Sequence, residues 1–168
     1  MRLTKTFRFE ASHRLPHYSG KCGRLHGHSW ILDVEFDGPV DIYTGMVIDY
    51  GDIKRYVQPL VDSLDHRHLG TWELPLQPHR YDVAGYNVWG VGWLPIDFNA
   101  TSENLLAVIA RQLTSTTPEF LWSALTLHET CTCQATLTRK EFEERYGQEE
   151  DGEETSEEAE EGDVGHPI

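Results

Sequence analysis

Long apolar runs, a disulfide framework and an apolar leader are all missing from this 168-residue chain. No run approaches the roughly 18 apolar residues that a membrane span requires, so an integral membrane protein is not expected. Three cysteines are an odd number and a poor disulfide framework, and the N-terminal residues lack the apolar stretch of a signal peptide. We therefore expect a cytoplasmic protein, and its length fits a single domain.

An excess of basic residues is also absent, since the formal net charge is −14. Residues 141–168 hold 13 of the 28 acidic residues and one of the 14 basic residues, so residues 1–140 are nearly neutral. A neutral body argues against general nucleic-acid binding. We predict a single domain over residues 1–145 and an acidic, disordered tail over residues 146–168 that acts as a solubiliser.

Periodic patterns of apolar side chains predict four strands and two helices in the body of the chain. The strands come in pairs before and after the helices, so the order is ββααββ and lacks the βαβ alternation of a parallel sheet. This order is typical of an α+β protein with a four-stranded antiparallel sheet and both helices on one face. Pro59 is expected to kink or shorten the first helix. The predicted strands are 3–9, 28–36, 122–130 and 133–138, and the predicted helices are 52–64 and 102–113, the second capped by Thr101 or Ser102.

Residues 70–100 have no clear period and contain three of the five tryptophans. A segment of this length without regular structure is more than a spacer in a compact domain. We interpret it as an aromatic-rich insertion that forms a surface excursion or a subunit contact, with a lid over a site as the alternative.

Three of the nine histidines fall in phase with buried strand positions. His26 and His28 share the predicted face of Trp30, and His13 continues the apolar face of the first strand. If these two strands pair, three imidazoles point into one region of the inner surface. Three neutral imidazoles form a ligand set of catalytic zinc sites, which leave a fourth position for water or substrate.

Cys22 lies in a basic loop just before two of these histidines. Residues 11–28 carry Arg14, Lys21 and Arg24 and no acidic residue. Cys22 could be a fourth metal ligand, a buried inert thiol or a reactive thiolate, and the neighbouring positive charges favour the last of these. A basic loop beside a metal also suits an anionic substrate such as a phosphate ester, although a solvated loop has the same composition.

Two acidic residues also have positions that suit a functional site. Asp65 precedes His66 after the first helix, where it could set the protonation of an imidazole or form a helix-terminal salt bridge. Glu129 is in phase with the buried face of its strand, and a planar ligand with adjacent N–H groups could meet its carboxylate. Cys131 and Cys133, which follow Glu129, are interpreted as structural thiols.

Six short motifs occur in one order along the chain: Phe9–Leu15, Cys22–His28, Gly45–Tyr50, Leu64–His66, Thr101–Glu103 and His128–Thr130. Together they resemble the 6-pyruvoyl-tetrahydropterin synthase and 6-carboxy-tetrahydropterin synthase family, over about residues 2–69 and 99–138. The three-residue gap between Cys22 and His26 is similar to the 6-carboxy branch.

The resemblance implies a tunnelling fold, in which a four-stranded antiparallel sheet carries two helices. It also implies that three such sheets join into a barrel and that two trimers stack, so a homohexamer is expected. One Zn²⁺ per subunit would be held by His13, His26 and His28.

The resemblance further implies catalytic roles for four residues. Cys22 would be the proton acceptor, and His66, supported by Asp65, would act as a relay. Glu129 would act as a relay or grip the pterin ring of the substrate.

Substrate binding would involve additional side chains that the same resemblance implies. The segment Thr101, Ser102 and Glu103 of a neighbouring subunit would complete the pocket. Arg24 belongs to the basic stretch that would hold a triphosphate.

The activity that the resemblance implies is conversion of 7,8-dihydroneopterin triphosphate to 6-carboxy-5,6,7,8-tetrahydropterin, acetaldehyde and triphosphate. This step leads to 7-deazaguanine compounds such as queuosine. One alternative is another enzyme of the same fold, which makes 6-pyruvoyl-tetrahydropterin or a dihydropterin with a cleaved side chain. A second alternative is a non-catalytic zinc- or pterin-binding module. No nucleic-acid or membrane partner is expected.

Overall fold

A computed structural model describes most of the predicted domain. The predicted tail from residue 148 onward and nearly all of the insertion 70–100 lie outside the described residues, so the predictions for these segments stay predictions. The described residues are 1–16, 18–69, 99–116 and 121–147.

The described residues form one five-stranded sheet with the strand order β3-β1-β2-β4-β5. The long strands β1 (Arg2–His13) and β2 (His26–Asp37) pair antiparallel along their whole length. Strands β4 (Ala124–His128) and β5 (Gln134–Thr138) extend the sheet beyond β2, also antiparallel. The short strand β3 (Arg67–Leu69) forms the other edge.

Three α-helices accompany the sheet in the described part of the chain. They are α1 (Tyr50–Leu64), α2 (Ser102–Thr116) and α3 (Arg139–Tyr146). A one-turn 3-10 helix (Lys21–Gly23) lies between the two long strands. None of the described helices has the length and apolar character that crossing a bilayer would need.

The α+β class and the two predicted strand pairs are confirmed, but the four-stranded, wholly antiparallel sheet is wrong. β3 pairs in parallel with β1, from Ala11 opposite Arg67 to His13 opposite Leu69, so the sheet is mixed. Three residues are too few to produce a readable alternation of apolar and polar side chains. α3 was also missed, because Phe142 is its single buried residue.

One face of the sheet carries the hydrophobic core. Phe7 and Phe9 of β1 lie opposite Leu32 and Trp30 of β2, and Leu32 in turn lies opposite Leu127 of β4. Helices α1 and α2 cover this face, as the sequence predicted. Their buried residues in the same cluster are Ile53, Val57, Leu60, Val61, Leu64, Leu105, Leu106, Ile109, Ala110 and Leu113.

Helix α1 runs without interruption through Pro59, so the expectation that proline shortens it is wrong. A proline inside a helix costs about 3 kcal/mol, since it removes one backbone hydrogen bond and crowds the preceding turn. Val57, Leu60 and Val61 are buried on both sides of it. Each such side chain contributes about 1.5–3 kcal/mol on burial, so their packing outweighs the cost.

Helix α3 begins at a capping box that the sequence contains but that was not used in the prediction. Thr138 Oγ1 accepts the backbone N–H of Glu141 at 3.2 Å, and the Glu141 carboxylate accepts the backbone N–H of Thr138 at 2.9 Å. Phe142 packs against Trp122 with ring centroids 5.9 Å apart. Since α3 ends at Tyr146, the first residue of the predicted tail is helical.

Candidate metal centre

The register of the two long strands places three imidazoles together at one end of the sheet. His13, the last residue of β1, lies directly opposite His26, the first residue of β2, and Ala11 lies opposite His28. The ring centroid of His13 is 4.5 Å from that of His26 and 5.1 Å from that of His28. The alternation of side chains along paired strands predicted this convergence. His13 is fully buried, and the other two rings are half-buried.

Backbone carbonyls fix the orientation of two of the rings. His13 Nδ1 lies 2.7 Å from the carbonyl oxygen of Ala100, and His26 Nδ1 lies 2.7 Å from that of Arg24. A carbonyl oxygen can only accept, so each Nδ1 carries the hydrogen and each neutral ring presents a lone pair at Nε2. Ligand histidines of metal sites are typically held in this way.

Glu129 completes a group of four donors, which we call the four-donor group: His13, His26, His28 and Glu129. Glu129 Oε1 lies 3.4 Å from His13 Nε2 and 3.3 Å from His28 Nε2. The Nε2 atoms of His13 and His26 are 3.1 Å apart. One donor atom from each of the four residues lies within 4.8 Å of the others, so this group could hold a metal ion.

The electrostatics of the four-donor group fit a bound cation. Burial is the main cause that lowers the pKa of both His13 and His28, so both rings are neutral near pH 7. Two Nε2 lone pairs that face each other cannot form a hydrogen bond between neutral rings. His28 Nε2 is buried without a hydrogen-bond partner among the described residues. A divalent cation would satisfy these lone pairs and the Glu129 carboxylate together.

Thr101 and Ser102 connect the start of α2 to this group. Thr101 Oγ1 accepts the backbone N–H of Asn104 at 3.4 Å, so Thr101 rather than Ser102 is the residue that caps the helix. The buried Ser102 hydroxyl donates to Glu129 Oε2 of the same chain at 3.2 Å. Glu103 is exposed. A contribution of this segment to a neighbouring subunit stays a prediction.

Cys22 is partly buried in the 3-10 turn and is not a member of the four-donor group. Its backbone carbonyl accepts the N–H of Leu15 at 2.9 Å, which folds the basic loop back on itself. Gly23 must be glycine, because a Cβ there would collide with the carbonyl oxygen of Tyr18. The fourth position of the donor group is thus occupied by Glu129, and Cys22 remains either an inert or a reactive thiol. The Arg24 side chain beside it is exposed.

Asp65 and His66 form a pair at the end of α1. Asp65 Oδ2 lies 2.8 Å from His66 Nδ1, and Asp65 Oδ1 accepts the backbone N–H of Glu10 at 2.8 Å. The hydrogen bond from Glu10, followed by that from His66, holds the pKa of the Asp65 carboxyl below its usual value. His66 has a left-handed backbone (φ 57°), and its side chain is 79% exposed. The pair lies outside the four-donor group, but His66 and His28 line one cavity of about 400 Å³ within the same chain.

His68, next to this pair in β3, is a buried polar residue that the sequence analysis did not single out. It is 2% exposed, and its Nδ1 lies 3.1 Å from Ser12 Oγ. Burial, with smaller contributions from the charges of His13 and Arg14, lowers the pKa of His68 to about 4. A three-residue strand leaves no periodic signal that could have predicted this burial.

We expect the buried His68 to make the free energy of unfolding fall as the solution becomes acidic. An unfolded chain takes up a proton at His68 near pH 6.5, whereas the folded chain resists it down to about pH 4. Stability from this residue is therefore complete above pH 6.5 and is lost between pH 6.5 and 4, by up to about 3 kcal/mol. Urea unfolding between pH 7.5 and 5 should show a shallower pH dependence for His68→Gln than for the parent chain. An unchanged slope for His68→Gln would contradict the prediction.

The fold and the four-donor group define a candidate metal-binding α+β protein. The sequence model of the family described as 6-pyruvoyl tetrahydropterin synthase matches residues 2–140, and the chain belongs to this family. The family resemblance of the six motifs is confirmed.

Named relatives support the 6-carboxy branch of the family. A 6-carboxy-5,6,7,8-tetrahydropterin synthase of Synechocystis sp. is 45% identical over 78 residues, which are 40% of this chain and only 56% of that relative. One of Aquifex aeolicus is 32% identical over 119 residues, 61% of this chain and 72% of the relative. The structure of Caenorhabditis elegans 6-pyruvoyl tetrahydropterin synthase matches with a TM-score of 0.61 at 24% identity, covering 82% of this chain and 94% of that one. At this identity the structural likeness concerns the fold alone.

Proposed function

We propose that the chain is a zinc-dependent 6-carboxy-5,6,7,8-tetrahydropterin synthase that acts on 7,8-dihydroneopterin triphosphate. The observation that carries the proposal is the convergence of His13, His26, His28 and Glu129 in a chain of this family. The names of the Synechocystis and Aquifex relatives favour this branch. The substrate and one water molecule would give 6-carboxy-5,6,7,8-tetrahydropterin, acetaldehyde and triphosphate, on the route to queuosine-type 7-deazaguanines.

His13, His26 and His28 would hold one Zn²⁺ through their Nε2 atoms. The carbonyls of Ala100 and Arg24 keep the first two rings in the tautomer that this requires. Zinc at this position supplies Lewis-acid polarisation of substrate hydroxyl groups. With Glu129 turned to the pterin, three protein ligands would leave a fourth coordination position for the substrate, which favours a catalytic over a structural site.

Cys22 would accept a proton from the substrate side chain. It lies on the same turn as the exposed residues Lys21 and Arg24. His66 would relay protons from its Nε2, because Asp65 engages its Nδ1. No redox cofactor is needed, since oxidation of the substrate side chain offsets reduction of its ring.

Glu129 would grip the pterin ring of the substrate. Its carboxylate can accept two parallel N–H hydrogen bonds from a planar heterocycle. The Ser102 hydroxyl, at 3.2 Å, holds one carboxylate oxygen in place. The position of Glu129 beside His28 sets the ring of the substrate next to the metal ligands.

The basic loop would bind the triphosphate group. Arg14 is only partly exposed, and its Nε is buried without a hydrogen-bond partner among the described residues. A phosphate oxygen is an acceptor that would satisfy this donor. Lys21 and Arg24, both exposed, add two further positive charges on the same loop.

The active form would be a homohexamer made of two trimers. The His66 ring is 79% exposed and lies outside the four-donor group within one chain. A second subunit that covers the His66 ring would place this proton relay next to metal ligands of the other subunit. Sedimentation of the metal-loaded protein measures this assembly.

The products formed from 7,8-dihydroneopterin triphosphate test the proposed function directly. We expect acetaldehyde and 6-carboxy-5,6,7,8-tetrahydropterin in equal amounts, measured by carbonyl trapping and by mass spectrometry of the pterin. Turnover without acetaldehyde would instead assign the chain to another enzyme of this fold, and a 6-pyruvoyl product is the first alternative because of the family description. Binding without turnover at any metal loading would leave a non-catalytic pterin-binding module.

A further inference from the structure

The turn between β4 and β5 carries two thiols immediately after Glu129. Cys131 and Cys133 are both free and exposed, which does not fit the structural role that the sequence suggested. Neither thiol has a part in the proposed reaction. Exposed thiols are accessible to oxidants and to thiol exchange, unlike the buried cysteines of a core.

The turn that carries the two cysteines reverses the chain within five residues, 129–133, between β4 and β5. The backbone N–H groups of Glu129 and Thr130 both donate to the carbonyl oxygen of Cys133, at 3.1 and 3.3 Å. The backbone N–H of Cys133 donates to Thr130 Oγ1 at 3.1 Å. Cα atoms two residues apart are separated by at most about 7 Å even in extended chain. The Cα separations that a disulfide spans, about 4.4–6.8 Å, lie within this limit.

The same turn is connected to the four-donor group through Glu129. At its backbone, Glu129 is bonded to the carbonyl of Cys133, and at its carboxylate it lies 3.3 Å from His28 Nε2. A change in the turn that moves the Cys133 carbonyl therefore acts on the residue that faces the metal ligands.

We propose that Cys131 and Cys133 form a reversible thiol–disulfide pair that controls the position of Glu129. A low-molecular-weight disulfide is the oxidant. One cysteine thiolate attacks it and forms a mixed disulfide, and the second cysteine then displaces the remaining reagent thiol. The Cys131–Cys133 S–S bond forms, the S–S bond of the reagent breaks, and both protons end on the two reagent thiols. Two cysteine sulfurs are oxidised and two reagent sulfurs are reduced.

The expected effect on turnover depends on the proposed function, whereas formation of the disulfide does not. After equilibration with oxidised glutathione, the metal-loaded protein should lose two hydrogens by mass spectrometry and resist alkylation at positions 131 and 133. Turnover should fall about tenfold or more, because small misplacements in a site are costly. Dithiothreitol should restore the turnover and the alkylation of both thiols. Cys131→Ser and Cys133→Ser should keep the basal turnover and lose this sensitivity.

Both serine variants retain Cys22. They therefore distinguish the effect of a Cys131–Cys133 disulfide from the effect of oxidation at Cys22. Equal inactivation of the parent chain and of both serine variants would place the sensitivity at Cys22 and overturn the proposal. Full alkylation of Cys131 and Cys133 after oxidation would also overturn the proposal. A disulfide that forms without any change in turnover or metal content would disprove control of Glu129. If the parent chain has no activity at all, the mass change still tests whether the disulfide forms. The metal content then tests whether the disulfide affects the four-donor group.

Discussion

Replacing His28 with alanine is expected to remove zinc and turnover together. His28 Nε2 is buried and lies 3.3 Å from Glu129 Oε1, within the group of donors that could hold a metal ion, so the substitution removes one of its three nitrogen donors. Loss of a partner that only orients a ligand weakens metal binding about 10–100-fold. Loss of a ligand itself should therefore weaken it at least about a hundredfold. Competition with a chelator of known affinity and metal analysis of the purified protein measure this loss.

His128→Ala is the matched control for this substitution. His128 lies on the other face of β4, where its Nε2 is 2.9 Å from Asp33 Oδ2. It is partly buried like His28 but belongs to no donor group, so its loss should leave zinc content and turnover close to those of the parent chain. Equal zinc content in the parent and in His28→Ala would show that the three rings are not the binding site.

Replacing Cys22 with alanine is expected to abolish turnover while zinc remains bound. The thiol is absent from the four-donor group, so removing it leaves His13, His26 and His28 intact. Loss of a positioned acid–base group costs typically about 10²–10⁴-fold in rate. The rate of acetaldehyde release and the metal content of the same sample separate the two effects, and fluorescence titration with the substrate measures whether binding survives.

Two outcomes would contradict the assignment of Cys22. Loss of zinc in Cys22→Ala would make the thiol a ligand, against its position outside the four-donor group. Retained turnover would make it a structural thiol, and proton transfer would then fall to another residue. Cys131→Ser serves as the control here, since it removes an exposed thiol that has no role in the proposed reaction.

Strand parity predicted the centre of the site because a sheet converts sequence spacing into geometry. His26 and His28 alternate with one residue between them, and pairing of β1 with β2 placed His13 opposite His26. The apolar partners Trp30 and Leu32 fixed which face was buried. The sequence indicated Glu129 as an acid on a buried face. In the structure its carboxylate lies beside His13 and His28 and accepts a hydrogen bond from Ser102. The ββααββ order of the elements, and not the alternation within strands, predicted both helices on one face of the sheet.

The parts that sequence analysis missed have weak local signals or depend on distant contacts. β3 is three residues long, and it pairs with a strand more than 50 residues earlier in the chain. The approach of Glu129 to His13 and the bond from Ser102 join residues far apart in sequence. Pro59 is a local signal that tertiary packing overrides, since the buried stripe of α1 continues past it. Rules that use only neighbouring residues predict neither the contacts between residues distant in sequence nor the packing that outweighs the cost of Pro59.

The bond between His13 and Ala100 would link metal binding to the completion of folding. The carbonyl that orients this ring belongs to a residue 87 positions later in the chain. Closing so long a loop carries an entropy cost that is recovered only when the surrounding contacts form. A chain in which this loop is still open therefore lacks the carbonyl that fixes the tautomer of His13. A cation that binds only the folded chain would add about 2.7 kcal/mol to its free energy of unfolding at a hundred times the dissociation constant.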